Sequence, residues 1–256
     1  MKLFQRICRI LLIAAFWIGL WAFAAWRVGK PLLVPSPAAV LTRLLELAQT
    51  KEFYTVVGNS LWNVLSGILI AVLGGCLLAF VTAHFRLLRD LLLPIMTAIK
   101  ATPVASFIIL AMIWIGAARV PTFITVLIVL PLIWTNLDVG TSKIDPQLTE
   151  VARAYRMPLW RRWRFLTLPS LKPYFVSACR ASLGLAWKAG VAAEIIASPR
   201  YTIGTMIGDA KQYILTADMF AWTLTVILLS LVIEFVFAAL LRRIGKEPDG
   251  KEATAC

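Results

Sequence analysis

Charged side chains inside otherwise apolar segments are the residues of this sequence whose chemistry stands out. Lys100, Lys188 and Glu194 lie within such segments, and Trp187 adjoins Lys188. A charge at membrane depth is costly and usually faces a cavity or a partner. Lys188 can attract an anion, pair with a carboxylate on a neighbouring helix, or extend its head group to the interface. We take these four residues as candidates for lining a solute path. An anion such as a sulfonate, nitrate or bicarbonate would be attracted to these lysines, although neutral and zwitterionic solutes remain alternatives.

The sequence contains none of the familiar patterns of an enzyme centre. There is no Gly-x4-Gly-Lys-Ser/Thr run to hold nucleotide phosphates, no HExxH, no nucleophile elbow and no second histidine beside His84. The four cysteines are scattered, without the spacing of a metal site or a disulfide framework. We therefore predict no catalytic, cofactor-binding or metal site in this chain.

The candidate residues must be positioned by membrane helices, because 60% of the 256 residues are hydrophobic and only 15% are charged. A helix needs roughly 17 to 25 apolar residues to cross a bilayer. Six segments qualify, so we predict an all-α bundle of six transmembrane helices forming one domain over 1–256. The third is interrupted by Pro94 and Pro103, which indicates a kinked or broken helix. The six segments are 10–26, 60–83, 91–115, 121–139, 170–197 and 219–241.

The distribution of basic residues predicts the orientation in the membrane. If the N-terminus is inside, the Lys and Arg residues on the inside outnumber those outside, as the positive-inside rule requires. Both termini are then cytoplasmic. The net charge of +13 suits anionic lipid, so nucleic-acid binding is disfavoured. The basic N-terminus also fits a cleaved signal peptide, but Trp17, Trp21 and Trp26 favour an uncleaved first helix.

Two polar segments between the spans have helical patterns. Ser36-Pro37 begins an amphipathic pattern that indicates a helix capping the outer face or lying on the membrane. On the inside, 145–168 is too polar to enter lipid. Asp145-Pro146 predicts a helix start there, Met157-Pro158 a break, and 159–166 a second short helix.

Four residues in and next to 145–168 form a recognisable pattern, namely Glu150, Ala152, Leu168 and Pro169. With these residues in register, 145–168 resembles the EAA loop of permeases of binding-protein-dependent ABC importers, in the branch that takes up nitrate, sulfonates and taurine. We call 145–168 the coupling segment. Val151 replaces the first alanine. Further similar motifs extend over nearly the whole chain, namely Ser36-Pro37, Asn59-Ser60-Leu61, Ser66-Gly67, Pro103-Val104-Ala105, Leu183-Gly184-Leu185-Ala186-Trp187, Ile203-Gly204 and Met206-Ile207.

One residue of the coupling segment departs from the family at a position with a structural role. Arg156 stands where a glycine usually provides the bend, and Pro158 could supply the break instead. The resemblance implies that the coupling segment and the adjoining Pro169 contact an ATPase. The residues concerned are Glu150, Ala152, Arg153, Tyr155, Arg156, Leu168 and Pro169.

The same resemblance implies the partners. They are two cytosolic ABC ATPases that bind the ATP, an extracytoplasmic solute-binding protein, and a second permease copy, with an identical one expected. An ion-coupled secondary transporter is the first alternative, but we find no internal repeat of the kind such transporters often show. A structural membrane subunit of a complex is the second, and it would not explain the pattern from Glu150 to Pro169. A plain basic connector between spans would explain only the arginines.

Overall fold

Helices account for all the regular structure among residues 2–245, which are the residues described by the computed structural model, apart from some side chains near both ends and at positions 153 and 159. A short 3-10 turn, Ala117–Arg119, leads into α6, and a π-helix, Trp163–Thr167, leads into α9. The predicted all-α class is confirmed. The α-helices are α1 (Lys2–Val28), α2 (Pro37–Ala48), α3 (Lys51–His84), α4 (Arg86–Ala101), α5 (Val104–Ile115), α6 (Val120–Ser142), α7 (Pro146–Ala154), α8 (Leu159–Arg162), α9 (Leu168–Ala197), α10 (Ile203–Gln212) and α11 (Thr216–Gly245).

The described helices include four that are long and apolar enough to cross a membrane, rather than the predicted six. They contain Leu11–Val28, Lys51–His84, Ala117–Ser142 and Thr216–Leu241. A bent pair, α4 and α5, brings the number to five if it counts as one span. The remaining predicted span, 170–197, lies in the 30-residue helix α9. Four charged residues make α9 less apolar: Lys172, Arg180, Lys188 and Glu194.

The predicted interruption of the third span is a sharp break. The axes of α4 and α5 differ by 105° across Thr102 and Pro103. Pro103 lacks an N–H and restricts the residue before it to extended conformations, and Thr102 has a ψ of 137°. Pro94, in contrast, is accommodated within α4. Pro103 therefore divides this segment into two arms.

Helices α3, α6 and α9 pack together at glycines and form the centre of the core. A Cβ added to Gly67 of α3 would lie 2.7 Å from the Cβ of Thr125 in α6, and one added to Gly190 of α9 would lie 2.6 Å from a methyl of Val64 in α3. Such backbone approach is typical of packing between membrane helices. Trp134 of α6 is fully buried there, and its Nε1 donates to Oγ1 of Thr82 at 3.1 Å.

The predicted amphipathic helix after Ser36 is α2, and it packs against the bundle. Ser36 caps it, accepting a 3.2 Å hydrogen bond from the amide of Ala39. Arg43 reaches α11 and forms a two-pronged ion pair with Asp218, with N–O distances of 2.6 and 2.9 Å. This hydrogen bonding, with that to Glu46, raises the pKa of Arg43 above its usual range. α2 is therefore fixed to the last helix through a charged contact, and its Val40 side chain is fully buried.

Candidate translocation cavity and coupling segment

A cavity of about 510 Å³ lies between the broken span and the central helices. Its walls are largely aliphatic. Both candidate lysines, on different helices, line it. The lining residues are Ile99, Lys100, Val104, Leu127, Ile128, Leu132, Leu185, Lys188, Ala189 and Ala192.

Lys100 and Lys188 are the charged members of this lining. Lys100 is on the last turn of α4, where its Nζ donates to Oγ1 of Thr135 at 3.2 Å. Lys188 is an exposed residue of α9. No acidic residue is among the described residues that form the wall. The cavity thus combines positive charge with apolar walls, and ligand sites are commonly mostly apolar with a few placed polar groups.

Trp187 and Glu194, the other two path candidates, are not among the residues that line this cavity. Trp187 is buried, and its Nε1 donates to the backbone oxygen of Val226 in α11 at 3.1 Å. Glu194 is fully buried near the end of α9. The structure therefore brings the two lysines together and places Trp187 and Glu194 in helix-to-helix contacts.

Glu194 is the acceptor at the centre of a buried network that joins three helices. Its carboxylate accepts hydrogen bonds from Ser60 Oγ at 2.7 Å and Asn63 Nδ2 at 3.2 Å, both on α3. It also accepts one from the amide of Gly204 at 3.1 Å, in the first turn of α10. Ser60 in turn accepts from the amide of Ile203 at 2.9 Å. A carboxylate at a helix N-terminus is favourable because unpaired amides and the helix dipole face it.

The first half of the coupling segment folds much as the sequence predicts. α7 begins at Pro146, and the Asp145 carboxylate accepts a 2.8 Å hydrogen bond from the amide of Gln147. At its other end, the amide of Met157 donates to the oxygen of Ala152 at 2.9 Å. This long turn is the pattern of a Schellman-type helix end, which needs a left-handed residue in between.

That left-handed residue is Arg156, with a φ of 48°. Glycine is the usual residue in this conformation because a Cβ is disfavoured there. The bend therefore lies where the family has glycine, two residues before Pro158, and Arg156 itself adopts the conformation. A sequence pattern cannot reveal this, because arginine rarely has a positive φ.

The coupling segment exposes large apolar side chains at its surface. Tyr155 is 81% exposed and Val151 53%, whereas Ala152 is buried. Glu150, Arg156, Leu168 and Pro169 are also exposed. The side chain of Arg153 lies outside the described residues. Contiguous exposed apolar surface outside a membrane span is typical of a protein interface.

The second half of the segment differs from the predicted single helix 159–166. α8 is a single turn, and the chain then widens into the π-helix Trp163–Thr167 before α9 begins at Leu168. Trp163 is directed inward against α3, with its ring centroid 4.6 Å from that of Phe80 and 5.7 Å from that of His84. Sequence reasoning missed this contact and the Glu194 network, although Ser60 and Asn63, three residues apart in an apolar helix, were a signal for the latter.

Four or five spans among the described helices, with a cavity between them, are the architecture of a multi-pass membrane protein. The family model described as "Binding-protein-dependent transport system inner membrane component" matches residues 71–246, and the chain belongs to this family. The resemblance stated from the sequence is thereby confirmed.

Several curated relatives are permeases for different solutes. The taurine transport system permease protein of Escherichia coli K12 is 24% identical over 231 residues, covering 88% of this chain and 83% of the relative. A riboflavin transport system permease protein of Chloroflexus aurantiacus is 27% identical, covering 86% and 84%. A putative aliphatic sulfonates transport permease protein of Bacillus subtilis is 25% identical, covering 82% and 77%.

Solved structures share the fold. The bacterial ABC transporter involved in import of the acidic polysaccharide alginate superposes with a TM-score of 0.62 at 19% identity, covering 96% of this chain and all of that one. An amino acid ABC transporter with histidines gives a TM-score of 0.61 at 16% identity, covering 78% and 95%. Membership in the permease family favours the importer over the secondary transporter and the purely structural subunit.

Proposed function

We propose that this permease subunit carries a small anion with an apolar body through the cavity lined by Lys100 and Lys188. The observation that carries the proposal is that these lysines, from α4 and α9, share one cavity whose other walls are aliphatic. An anion between them is attracted electrostatically, and its apolar part contacts the walls without leaving polar groups unpaired. The relatives named for taurine and aliphatic sulfonates are in keeping with such a solute.

The family and the exposed surface of the coupling segment support a transport cycle that involves several subunits. Two copies of the permease, most simply identical, surround the path; two cytosolic ATPases bind and hydrolyse ATP, and a binding protein delivers solute from outside. The whole chain is one permease domain, with both termini cytoplasmic. The ATPases contact Glu150, Arg153, Tyr155, Arg156, Leu168 and Pro169, whereas Ala152, the remaining residue of the predicted set, is buried beneath this surface. ATP drives the change of state only through a difference in affinity for the two states.

Uptake in proteoliposomes containing the permease, its ATPase and its binding protein tests this proposal. The probes are taurine, ethanesulfonate, nitrate and bicarbonate, each with and without ATP. Replacing Lys188 or Lys100 with Gln removes a charge from the wall, and we expect uptake of the transported anion to fall about tenfold for each, equivalent to about 1.4 kcal/mol. Lys211→Gln, at an exposed position of α10, is the matched control.

Three results would contradict parts of the proposal. Uptake that does not need ATP would contradict the importer mechanism. Full uptake in both lysine variants would show that the cavity is not the path of the anion. A preference for nitrate or bicarbonate over ethanesulfonate would show that the substrate does not need an apolar body.

A further inference from the structure

The second half of the coupling segment turns one of its three aromatic side chains inward. Trp160 is 73% exposed and Phe165 is 67% exposed, whereas Trp163 between them is half-buried. The two exposed rings belong to the outer surface of the segment. Trp163 therefore contacts the permease itself rather than extending that surface.

Trp163 joins Phe80 and His84 in what we call the aromatic cluster. Its ring lies nearly parallel to that of His84, with an interplanar angle of 11°, and tilted by 50° against that of Phe80. The rings of Phe80 and His84 are 5.0 Å apart. Nδ1 of His84 lies 2.9 Å from the backbone oxygen of Phe80, which fixes the imidazole in this orientation. Aromatic pairs at such distances are attractive beyond the area they bury.

The cluster supports the coupling segment at its irregular point. Trp163 is the first residue of the π-helix, and its backbone oxygen accepts the hydrogen bond from the amide of Leu168 that closes the wide turn. A π-turn has a less regular hydrogen-bond ladder than an α-helix and often marks a functional site. A force applied to α7 or α8 would bend the chain here unless the turn were supported from behind.

The helix that provides this support also reaches the Glu194 network. From His84 back to Ser60 is 24 residues of continuous α3, or about 36 Å along the axis. α6 and α9 adjoin the coupling segment along the chain, but α3 does not. The aromatic cluster is therefore a direct side-chain contact by which the segment meets the helix that holds Glu194 through Ser60 and Asn63.

We propose that Trp163 is a positioning residue that braces the coupling segment against the C-terminal end of α3. Movement imposed by the ATPase is then passed along α3 to the Glu194 network and to the end of α9, which contributes to the cavity wall, instead of being absorbed by bending at the π-helix. This inference rests on the proposed function. It assigns Trp163 to transmission of the movement, and separates it from the exposed residues that bind the ATPase.

The test measures transmission without needing to know the solute. In a variant whose native cysteines are replaced, Ala192→Cys places a thiol in the cavity wall. Its labelling rate with a water-soluble maleimide is compared in the nucleotide-free complex and after trapping with ATP and vanadate, alongside ATPase activity and the amount of ATPase bound. Trp163→Ala, Trp163→Phe and Phe80→Ala are each measured on this background, and Trp62→Ala, at a 73% exposed position of α3, is the control.

We expect Trp163→Ala and Phe80→Ala to keep the ATPase bound and active while the ATP-dependent change in labelling shrinks about three- to tenfold. Trp163→Phe should restore most of the change in labelling, and Trp62→Ala should behave as the unsubstituted chain.

Three results would contradict this expectation in different ways. A full labelling change in both Trp163→Ala and Phe80→Ala would show that the aromatic cluster does not transmit the movement. Loss of bound ATPase in Trp163→Ala would make Trp163 a docking residue instead. If the unsubstituted complex shows no ATP-dependent change in the labelling rate, the result contradicts the proposed function itself, and the proposal for Trp163 falls with it.

Discussion

Ser60 and Glu194, 134 residues apart in sequence, are joined by a buried hydrogen bond of 2.7 Å that links α3 to the end of α9. The same hydroxyl accepts from the amide of Ile203 and so anchors the first turn of α10 as well. The hydrogen bonds of this one hydroxyl group thus link α3, α9 and α10. Its removal leaves a buried carboxylate short of a donor and a buried amide without its acceptor.

Ser60→Ala should lower the free energy of unfolding by about 1 to 3 kcal/mol, because an unsatisfied buried polar group loses its compensation for desolvation. Thermal unfolding of the purified permease in detergent measures this loss. Ser66→Ala is the matched control on the same helix, because Ser66 only donates to the oxygen of Asn63 in its own turn. Equal losses for the two variants would contradict a special role for the Ser60 hydroxyl.

Gly204→Ala should be among the most damaging small substitutions in the chain. The added Cβ would overlap the Cβ of Glu194 and lie 2.6 Å from the backbone nitrogen of Ile195, so helices α9 and α10 must separate. We expect a loss of about 3 kcal/mol or more, as for a strongly overpacked site.

The control for that substitution is Gly208→Ala on the same helix. Its nearest neighbour would be the oxygen of Ile195, 3.8 Å away, so the methyl group fits and alanine should stabilise the helix by about 0.5 to 1 kcal/mol. The two alanine variants should thus change the melting temperature in opposite directions. A shift of the same sign in both would show that α10 does not pack on α9 as closely as described.

Arg156→Gly should raise the stability of the permease measured without its ATPase by about 1 kcal/mol. The φ of 48° strains any residue that has a Cβ, and glycine relieves this strain. Arg161→Gly provides the comparison, because it places glycine inside α8, where it should lower stability by up to about 1 kcal/mol. Thermal melts of the unsubstituted permease and of the two glycine variants measure these changes. A loss of stability in Arg156→Gly would show that the left-handed bend is not at this residue.

Tyr155→Ala should weaken binding of the ATPase by about tenfold or more, because a large exposed aromatic residue is a common energetic centre of interfaces. Retention of the ATPase during purification and titration of the purified subunits both measure this. Tyr54→Ala, at a 66% exposed position near the first turns of α3, matches the change in side chain. An unchanged affinity for the ATPase in Tyr155→Ala would show that the docking surface does not include the end of α7.

Helix starts and breaks were largely predictable because their signals are local. Ser36 before Pro37 and Asp145 before Pro146 both mark starts that the structure contains, and Pro103 marks the break. The sharpness of that break, 105°, depends on what packs around it and could not be predicted.

The candidate site was only partly predictable, because neighbouring residues of one helix point about 100° apart. Trp187 and Lys188 are adjacent in sequence, yet the first donates to α11 and the second lines the cavity. The sequence shows that Glu194 carries a charge in an apolar segment, but the three hydrogen-bond donors to its carboxylate come from two other helices. The sequence marks Arg156 as a departure from the family, but it does not show the left-handed backbone conformation of this residue.

The division of the third span into two arms has a consequence for how this protein can change. Ile99 and Lys100 lie just before the break and Val104 just after it, so one wall of the cavity is formed at the junction of α4 and α5. The glycine contacts at Gly67 and Gly190 lie among α3, α6 and α9 instead. Substitutions at the junction can therefore reshape the wall without touching the glycine contacts, most freely at the exposed Lys100, because Ile99 packs against the central core and Val104 against a neighbouring cluster. In the proposed path, a permease built in this way can acquire a new solute preference at little expense in stability, and Lys100 is the natural first target for redesigning it.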